Sequence, residues 1–164
     1  MAKQQDPRLL NPRIEALPTT RIAFVRHNGP QNTIERTFKR FTEWCGDHGL
    51  LTANTKYIGV AHDNVVASGP NEPRYDCAIT VGRDFRPEGD VEVATLEAGE
   101  YAIVTYQGPY WGVDAAYSWL EDSWLKEMGR QPRNAPSFEV YLNDAAEVPE
   151  SQLLTDVHLP LEWW

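Results

Sequence analysis

The 164-residue chain carries 15 Lys+Arg against 24 Asp+Glu, a formal net charge of −9, with 41% hydrophobic and 11% aromatic residues. An acidic chain without a Lys/Arg run offers phosphate no face from which to release counterions, so direct nucleic-acid binding is not expected. A domain of this length buries about 70% of its unfolded surface without metal or disulfide staples, and the composition is that of a globular chain rather than a disordered one.

The N-terminal stretch MAKQQDPRLLNPR has no apolar leader core, and no later run reaches the ~18 apolar residues of a membrane-spanning helix, so a cytoplasmic protein is expected. Ile14 to Leu17 alternates as a short strand, and Arg21 to Pro30 (RIAFVRHNGP) is a β-rich run ending at Gly-Pro. A helix is predicted from about Pro30 to His48, with Ile34, Phe38, Phe41 and Cys45 on one face. Pro30 suits its first turn and Gly49 its end. Strands follow at Tyr57 to Asn64 and Tyr75 to Val81. Residues 82–91 form a polar Gly/Pro-containing connector. The series then recurs: a strand at Val91 to Leu96, a β-rich run at Glu100 to Pro109 (EYAIVTYQGP), and a helix from about Pro109 to Met128 closed by Gly129. Strands at Ser137 to Asp144 and Thr155 to Leu161 complete it. Cys45 and Cys77 lie inside apolar patterns, which reads as two reduced core thiols.

The recurrence is close. At an offset of 79, Ala23, Val25, Gly29 and Pro30 fall on Ala102, Val104, Gly108 and Pro109, and Ile34, Phe38, Phe41 and Cys45 fall on Val113, Tyr117, Leu120 and Trp124. After one inserted residue the offset is 80, which sets YIGVAHDN on SFEVYLND and Tyr75 to Val81 on Thr155 to Leu161. The expected fold is therefore α+β and internally duplicated. Two βαββ-type modules, about 13–81 and 92–161 of a single 1–164 domain, are related by a pseudo-two-fold axis, with antiparallel sheet, two long helices on one side and a ligand cleft between the halves. Phe38 and Tyr117 are expected at equivalent places.

In Phe138 to Leu142 the alternation turns Phe138, Val140 and Leu142 toward the helix, and Glu139 and Tyr141 away from it. The first copy has Gly59 and Ala61 at the matching positions, and Ala78 where the second has His158. One copy thus presents small residues where the other presents functional groups, as when a cavity is lined by one half and given room by the other. The competing reading is a solvent-facing Glu139 paired with a Lys or Arg. Tyr75, Tyr106, Tyr110, Trp111 and Trp119 could wall such a pocket, caging an organic cation or a flat heteroaromatic by cation–π contact and stacking; the competing reading is ordinary packing. Cys45, Asp47 and His48 lack the further ligands a metal needs. GxGxxG, GxxxxGK[ST] and GxSxG are absent, so neither metal nor nucleotide cofactor is expected. His27, His62 and His158 read as turn or surface residues.

The doubled Gly-Pro turn, IGVAHDN followed by RYDCAITV, WLEDSWL, and FEVYLND followed by LTDVHLPL resemble the GyrI-like family from about Pro12 to Leu161. That family includes the stand-alone DNA gyrase inhibitory protein and the effector-binding domain of some AraC-type regulators. The resemblance implies a duplicated module with a ligand cleft, Glu139 as the central acidic pocket residue, and Tyr141 with the surrounding rings as aromatic walls. Such regulators carry an N-terminal helix-turn-helix region, and here only a short segment precedes the first module, so a stand-alone small-molecule-binding protein is expected. Some relatives hydrolyse cyclopropane-containing DNA-alkylating compounds, which would make Glu139 a general base and Tyr141 a donor. The resemblance also admits gyrase or a separate regulator as protein partner.

Overall fold

The alternating and β-branched runs form eight antiparallel strands in a computed structural model that describes residues 6–62 and 74–162. In chain order the elements are β1 (Leu9–Leu17), β2 (Thr20–His27), α1 (Ile34–Asp47), β3 (Tyr57–Ala61), β4 (Tyr75–Thr80), β5 (Glu92–Leu96) and β6 (Gly99–Gln107). They continue with α2 (Asp114–Trp119), a π-helical turn (Leu120–Trp124), α3 (Leu125–Met128), β7 (Ser137–Tyr141) and β8 (Leu154–Pro160). Single 3-10 turns at Gln31–Thr33 and Tyr110–Gly112 lead into the helices. The end of the expected strand at Asp63 and Asn64, and the C-terminal Trp163 and Trp164, lie outside the described residues.

The chain divides into a terminal unit, the residues through Leu17 with those from Gly99 onward, and a central unit, Pro18–Ala98. In the terminal unit the strand order is β1-β6-β8-β7, and in the central unit it is β3-β4-β2-β5. β1 therefore pairs with β6 rather than β2, and β5 with β2 rather than β6. The strands expected to lead the two repeats thus pair outside the segments they were expected to open. Within the ladders the registers match at the sequence offset: Ala23 opposes Ile79 as Ala102 opposes Leu159, and Gly59 opposes Cys77 as Glu139 opposes Val157. β1 is an outer strand, which tolerates Pro12. Its register with β6 shifts between Leu10 and Arg13, where Asn11 takes φ 51°.

Each sheet buries one face against its helix. The terminal core joins Ala102, Val104, Val157 and Leu159 of the sheet to Val113, Ala116, Leu120 and Leu125 of the helical segment. The central core joins Ala23, Cys77 and Ile79 to Phe41 and Cys45. Burial pushes the Cys45 thiol up to about 11 and the Cys77 thiol to about 12, consistent with unreactive core cysteines. Gly49 (φ 69°) and Gly129 (φ 68°) end the helices as expected, with Leu50 N–H bonded to the Cys45 carbonyl and Arg130 N–H to that of Leu125. Pro30 and Pro109 each stand one residue ahead of a 3-10 turn, Pro109 in extended conformation (ψ 146°), instead of inside the first turn.

The π turn explains the change of offset from 79 to 80. A π turn takes one extra residue into a helix without breaking it. Ahead of it Phe41 corresponds to Leu120, and both are buried; beyond it the buried partner of Cys45 is Leu125, while Trp124 only packs on the core edge. The simple extension of the stripe to Trp124 is corrected on this point.

On the central sheet's other face, Asp76 is 3% exposed and bonded to Arg26 Nε at 3.0 Å and His62 Nε2 at 2.5 Å. Burial pushes its carboxyl up, but the hydrogen bonds from His62 and Arg26 together outweigh burial and hold it below the usual range. A depressed carboxylate stabilises above its unfolded pKa and loses that contribution as pH falls through the folded value. Asp76→Asn is expected to cost about 1–3 kcal/mol at pH 7, measured by urea unfolding, with the gap closing below about pH 4.

Candidate functional site

The strand β7 carries Phe138 and Glu139 side by side, both buried, on opposite faces of the terminal sheet. Phe138 stacks on His158 (ring centroids 4.3 Å apart, 16° between planes) and meets Tyr101 edge-on. Glu139 opposes Val157, a member of the core under the helix, and accepts a hydrogen bond from Tyr117 of α2. The side-chain directions are thus the reverse of those expected from the alternation: Glu139 and Tyr141 face the helix, and Phe138 faces away. The reason is pairing. Tyr117 sits on the buried helical stripe and its hydroxyl needs an acceptor, which Glu139 supplies from the sheet.

Glu139 is 5% exposed. Tyr117 donates to Oε2 at 3.2 Å and Tyr141 to Oε1 at 3.4 Å, and among the described residues no Lys, Arg or His pairs with the carboxylate. The expected alternative of a surface ion pair is excluded on this geometry. Burial pushes the Glu139 carboxyl up to about 7; the phenol hydrogen bonds pull it down, and the negative charge of Asp114 at the start of α2 adds to the rise. Partial desolvation raises the Asp114 carboxyl as well. Burial, reinforced by the neighbouring Glu139 charge, drives the Tyr117 phenol well above its ordinary value, so it remains a donor at any physiological pH. Tyr110 completes the group, its ring edge-on to Tyr141 at 5.4 Å.

Of the residues singled out in the sequence, Glu139, Tyr141 and Tyr110 are thus brought together. The rest are placed otherwise. His158 lies on the opposite sheet face from Glu139 because adjacent strand residues alternate; burial lowers its ring to about 4, so it stays neutral in its stack. Tyr106 is wholly buried in the terminal core, its hydroxyl bonded to the Pro109 carbonyl. Trp111 is 77% exposed, and Trp119 stacks on Trp124 at the core edge. Tyr75 is buried in the central unit's core, with Ala61 packed beside it and Gly59 on the same strand as Ala61. Ala78, like His158, takes the face turned from its helix. His27, read as a turn or surface residue, is 3% exposed and bonded to Thr37 and the Pro30 carbonyl.

Tyr117 and Asp114 were missed. A signal for Tyr117 exists in the repeat: where the first copy has Phe38 and Gly59, the second has Tyr117 and Glu139. A hydroxyl and a carboxylate introduced at two stripe positions of one module are a matched pair. Among the described residues no group of three or more His, Cys, Asp or Glu is gathered for a metal, and no helix is long and apolar enough to cross a membrane.

A helical segment laid on a four-stranded antiparallel sheet, with a buried acid and phenols held between them, defines an α+β domain of the small-molecule-binding type. The chain belongs to the GyrI-like small molecule binding domain family, whose profile matches residues 10–162. Curated relatives include a DNA gyrase inhibitor of Serratia proteamaculans, 30% identical over 137 residues that cover 80% of this chain and 86% of that protein. A prophage-derived putative transcriptional regulator, YosT of Bacillus subtilis, is 30% identical over 94 residues, 55% of this chain and 61% of that protein. The chain therefore spans less than two thirds of that regulator's length. The EcmrR C-terminal domain shares the fold at TM-score 0.78 and 19% identity, covering 94% of this chain and 98% of that one. The structure of SAV2435 bound to tetraphenylphosphonium matches at TM-score 0.58 and 14% identity, covering 93% and 94%.

Proposed function

We propose that the protein binds small organic molecules, cationic or flat and aromatic, with Glu139 as the anchoring charge and Tyr117, Tyr141 and Tyr110 as the aromatic surround. The observation that carries this reading is the Glu139 carboxyl, buried without a cationic partner among the described residues. A buried acid lacking a counterion is costly, and a ligand that supplies the missing charge relieves that cost. Phenol faces add cation–π and stacking contact. The tetraphenylphosphonium held by SAV2435 is a ligand of that chemistry. Matching ladder registers support the internal duplication, in which Gly59 and Ala61 hold the positions that Glu139 and Tyr141 hold in the other repeat. The names of the relatives support gyrase or a separate regulator as protein partner.

The test is a titration with tetraphenylphosphonium read by tryptophan fluorescence, with tetraphenylborate as a control of the same shape and opposite charge. Preference for the cation by about tenfold or more is expected for a desolvated anionic site. Equal binding of the two ions, or preference for the anion, overturns the anchoring role of Glu139.

A hydrolytic reading rests on the same residue, since a carboxyl held near neutral pH is suited to general-base work on water. Incubation with a cyclopropane-containing alkylating compound, followed by mass spectrometry for addition of one water, separates turnover from binding.

A further inference from the structure

The two repeats solve one local problem in different ways, and the difference bears on the ligand site. In the terminal unit β6 runs into Gly108-Pro109-Tyr110-Trp111-Gly112 and then α2. Tyr106, at the end of β6, turns its ring under this loop, and its hydroxyl donates to the Pro109 carbonyl at 2.9 Å. The Gly112 N–H donates to that same carbonyl at 3.0 Å. The phenol oxygen leaves no space around it. A Cβ on Gly108 would come within 2.9 Å of it, and one on Gly112 within 2.2 Å, so both positions must be glycine for the ring to enter. The Arg8 guanidinium lies over the ring at 5.6 Å, and Gln107 and Gly108 N–H groups bond the Arg8 and Leu153 carbonyls.

The first repeat has His27 where the second has Tyr106, and Thr33 where the second has Gly112. His27 Nε2 donates to the Pro30 carbonyl, also at 2.9 Å. The imidazole is shorter than the phenol, and the Thr33 hydroxyl occupies the remaining space, 3.2 Å from Nε2 and bonded to the Pro30 carbonyl at 2.7 Å. His27 with Thr33, and Tyr106 with Gly112, are thus two fillings of one socket beneath the same prolyl carbonyl. The consequence differs between the units. The first loop leads to Phe38, whereas the second carries Tyr110 onto Tyr141 and opens the helix that supplies Asp114 and Tyr117, the groups around Glu139.

We propose that Tyr106 is a positioning residue for the Glu139 site: its hydroxyl, seated between Gly108 and Gly112, pegs the loop that sets Tyr110 against Tyr141 and fixes the start of α2. The proposal rests on the reading of Glu139 as ligand anchor only for its binding readout. Tyr106 does not touch the ligand; it acts through the Pro109 carbonyl.

The experiment compares Tyr106→Phe, Tyr106→His, Gly112→Thr and the double variant Tyr106→His/Gly112→Thr with the wild type. Two quantities are read: tetraphenylphosphonium affinity, and the titration midpoint of the Glu139 carboxyl by carbon-detected NMR, with circular dichroism to establish folding. Tyr106→Phe is expected to fold and to bind about fivefold more weakly, the worth of one neutral hydrogen bond. As the loop loosens and water reaches the carboxyl, its midpoint should fall by about half a unit or more. Gly112→Thr alone is expected to lose affinity because its side chain meets the phenol. The double variant, which installs the first repeat's filling, is expected to recover to within about twofold of wild type, a coupling that a merely additive structural effect would not show. Wild-type affinity and midpoint in Tyr106→Phe, or a double variant no better than its worse single, overturns the proposal. Glu139→Gln runs in parallel. If it leaves affinity unchanged, the ligand reading fails, and the Glu139 midpoint in Tyr106→Phe still decides the peg.

Discussion

Glu139→Gln is expected to weaken tetraphenylphosphonium binding by more than about tenfold while the protein keeps its fold and gains stability when empty. The amide keeps the shape; its oxygen can accept from one phenol while its N–H donates to the oxygen of the other, but the charge is gone. The pH dependence follows from the same residue. Its folded pKa, about 7, is raised above the ordinary carboxyl value of 4.5, chiefly by burial. Between those values the native state holds a proton that the unfolded state has lost, so stability declines as pH rises and levels off above about 7. A shift of that size corresponds to about 3 kcal/mol, which Glu139→Gln should remove. Cation binding should run the other way. Below about pH 7 a bound cation must displace the proton, so affinity rises by up to about tenfold per pH unit and flattens above it. Asp114, Tyr117 and Tyr141 surround the carboxyl; burial drives the Tyr117 phenol well above its ordinary value, and desolvation raises the Asp114 carboxyl. Isothermal titration calorimetry between pH 5.5 and 8.5 measures the affinity slope, and urea unfolding over the same range the stability slope. A wild-type affinity flat across that range, or a Gln variant that keeps the slope, removes Glu139 from the site.

Leu120→Ala carries the other large expected effect. Leu120 is wholly buried in the terminal core and begins the π turn, so truncation leaves a cavity where the widened helix has little freedom to close over it. A loss of about 3 kcal/mol is expected, lowering Tm by about 6–12 °C for a protein of this size. Differential scanning calorimetry at pH 6 reads it. A loss below about 1 kcal/mol would mean that the turn collapses onto the gap and that its packing is looser than the structure indicates.

Much of this architecture was legible in the chain. The α1 stripe, the second stripe as far as Leu120, the closing glycines and the strand positions follow from local rules that tertiary context left untouched. The orientation of β7 did not. Alternation assigns the apolar set Phe138, Val140 and Leu142 to the core, yet the face under the helix holds Glu139, and Leu142 is 49% exposed. Polarity patterns report burial only where no charge is held inside, and positions such as Glu139 are where the rule is expected to fail. The exchange of leading strands was also hidden, since the alternating segments at Ile14 to Leu17 and Val91 to Leu96 read alike whichever neighbour they join, and the extension of β1 back to Leu9 was not read. The action of the Asp114 charge on Glu139 depends on how α2 lies on β7 and has no sequence signature. The one-residue change of offset was visible as a number but not as a π turn.

The exchange of β1 and β5 bears on where this chain can be cut. Severed in the connector at 82–91, it yields pieces that each lack an outer strand of the sheet they were meant to form, exposing the edges of β2 and β6. Residues 18–98 instead carry β2 to β5 with α1 as one uninterrupted stretch, whereas the terminal unit is discontinuous and needs Leu17 joined to Gly99 by a new linker. Fragment boundaries for this protein are set by strand partners and not by the recurrence in its sequence.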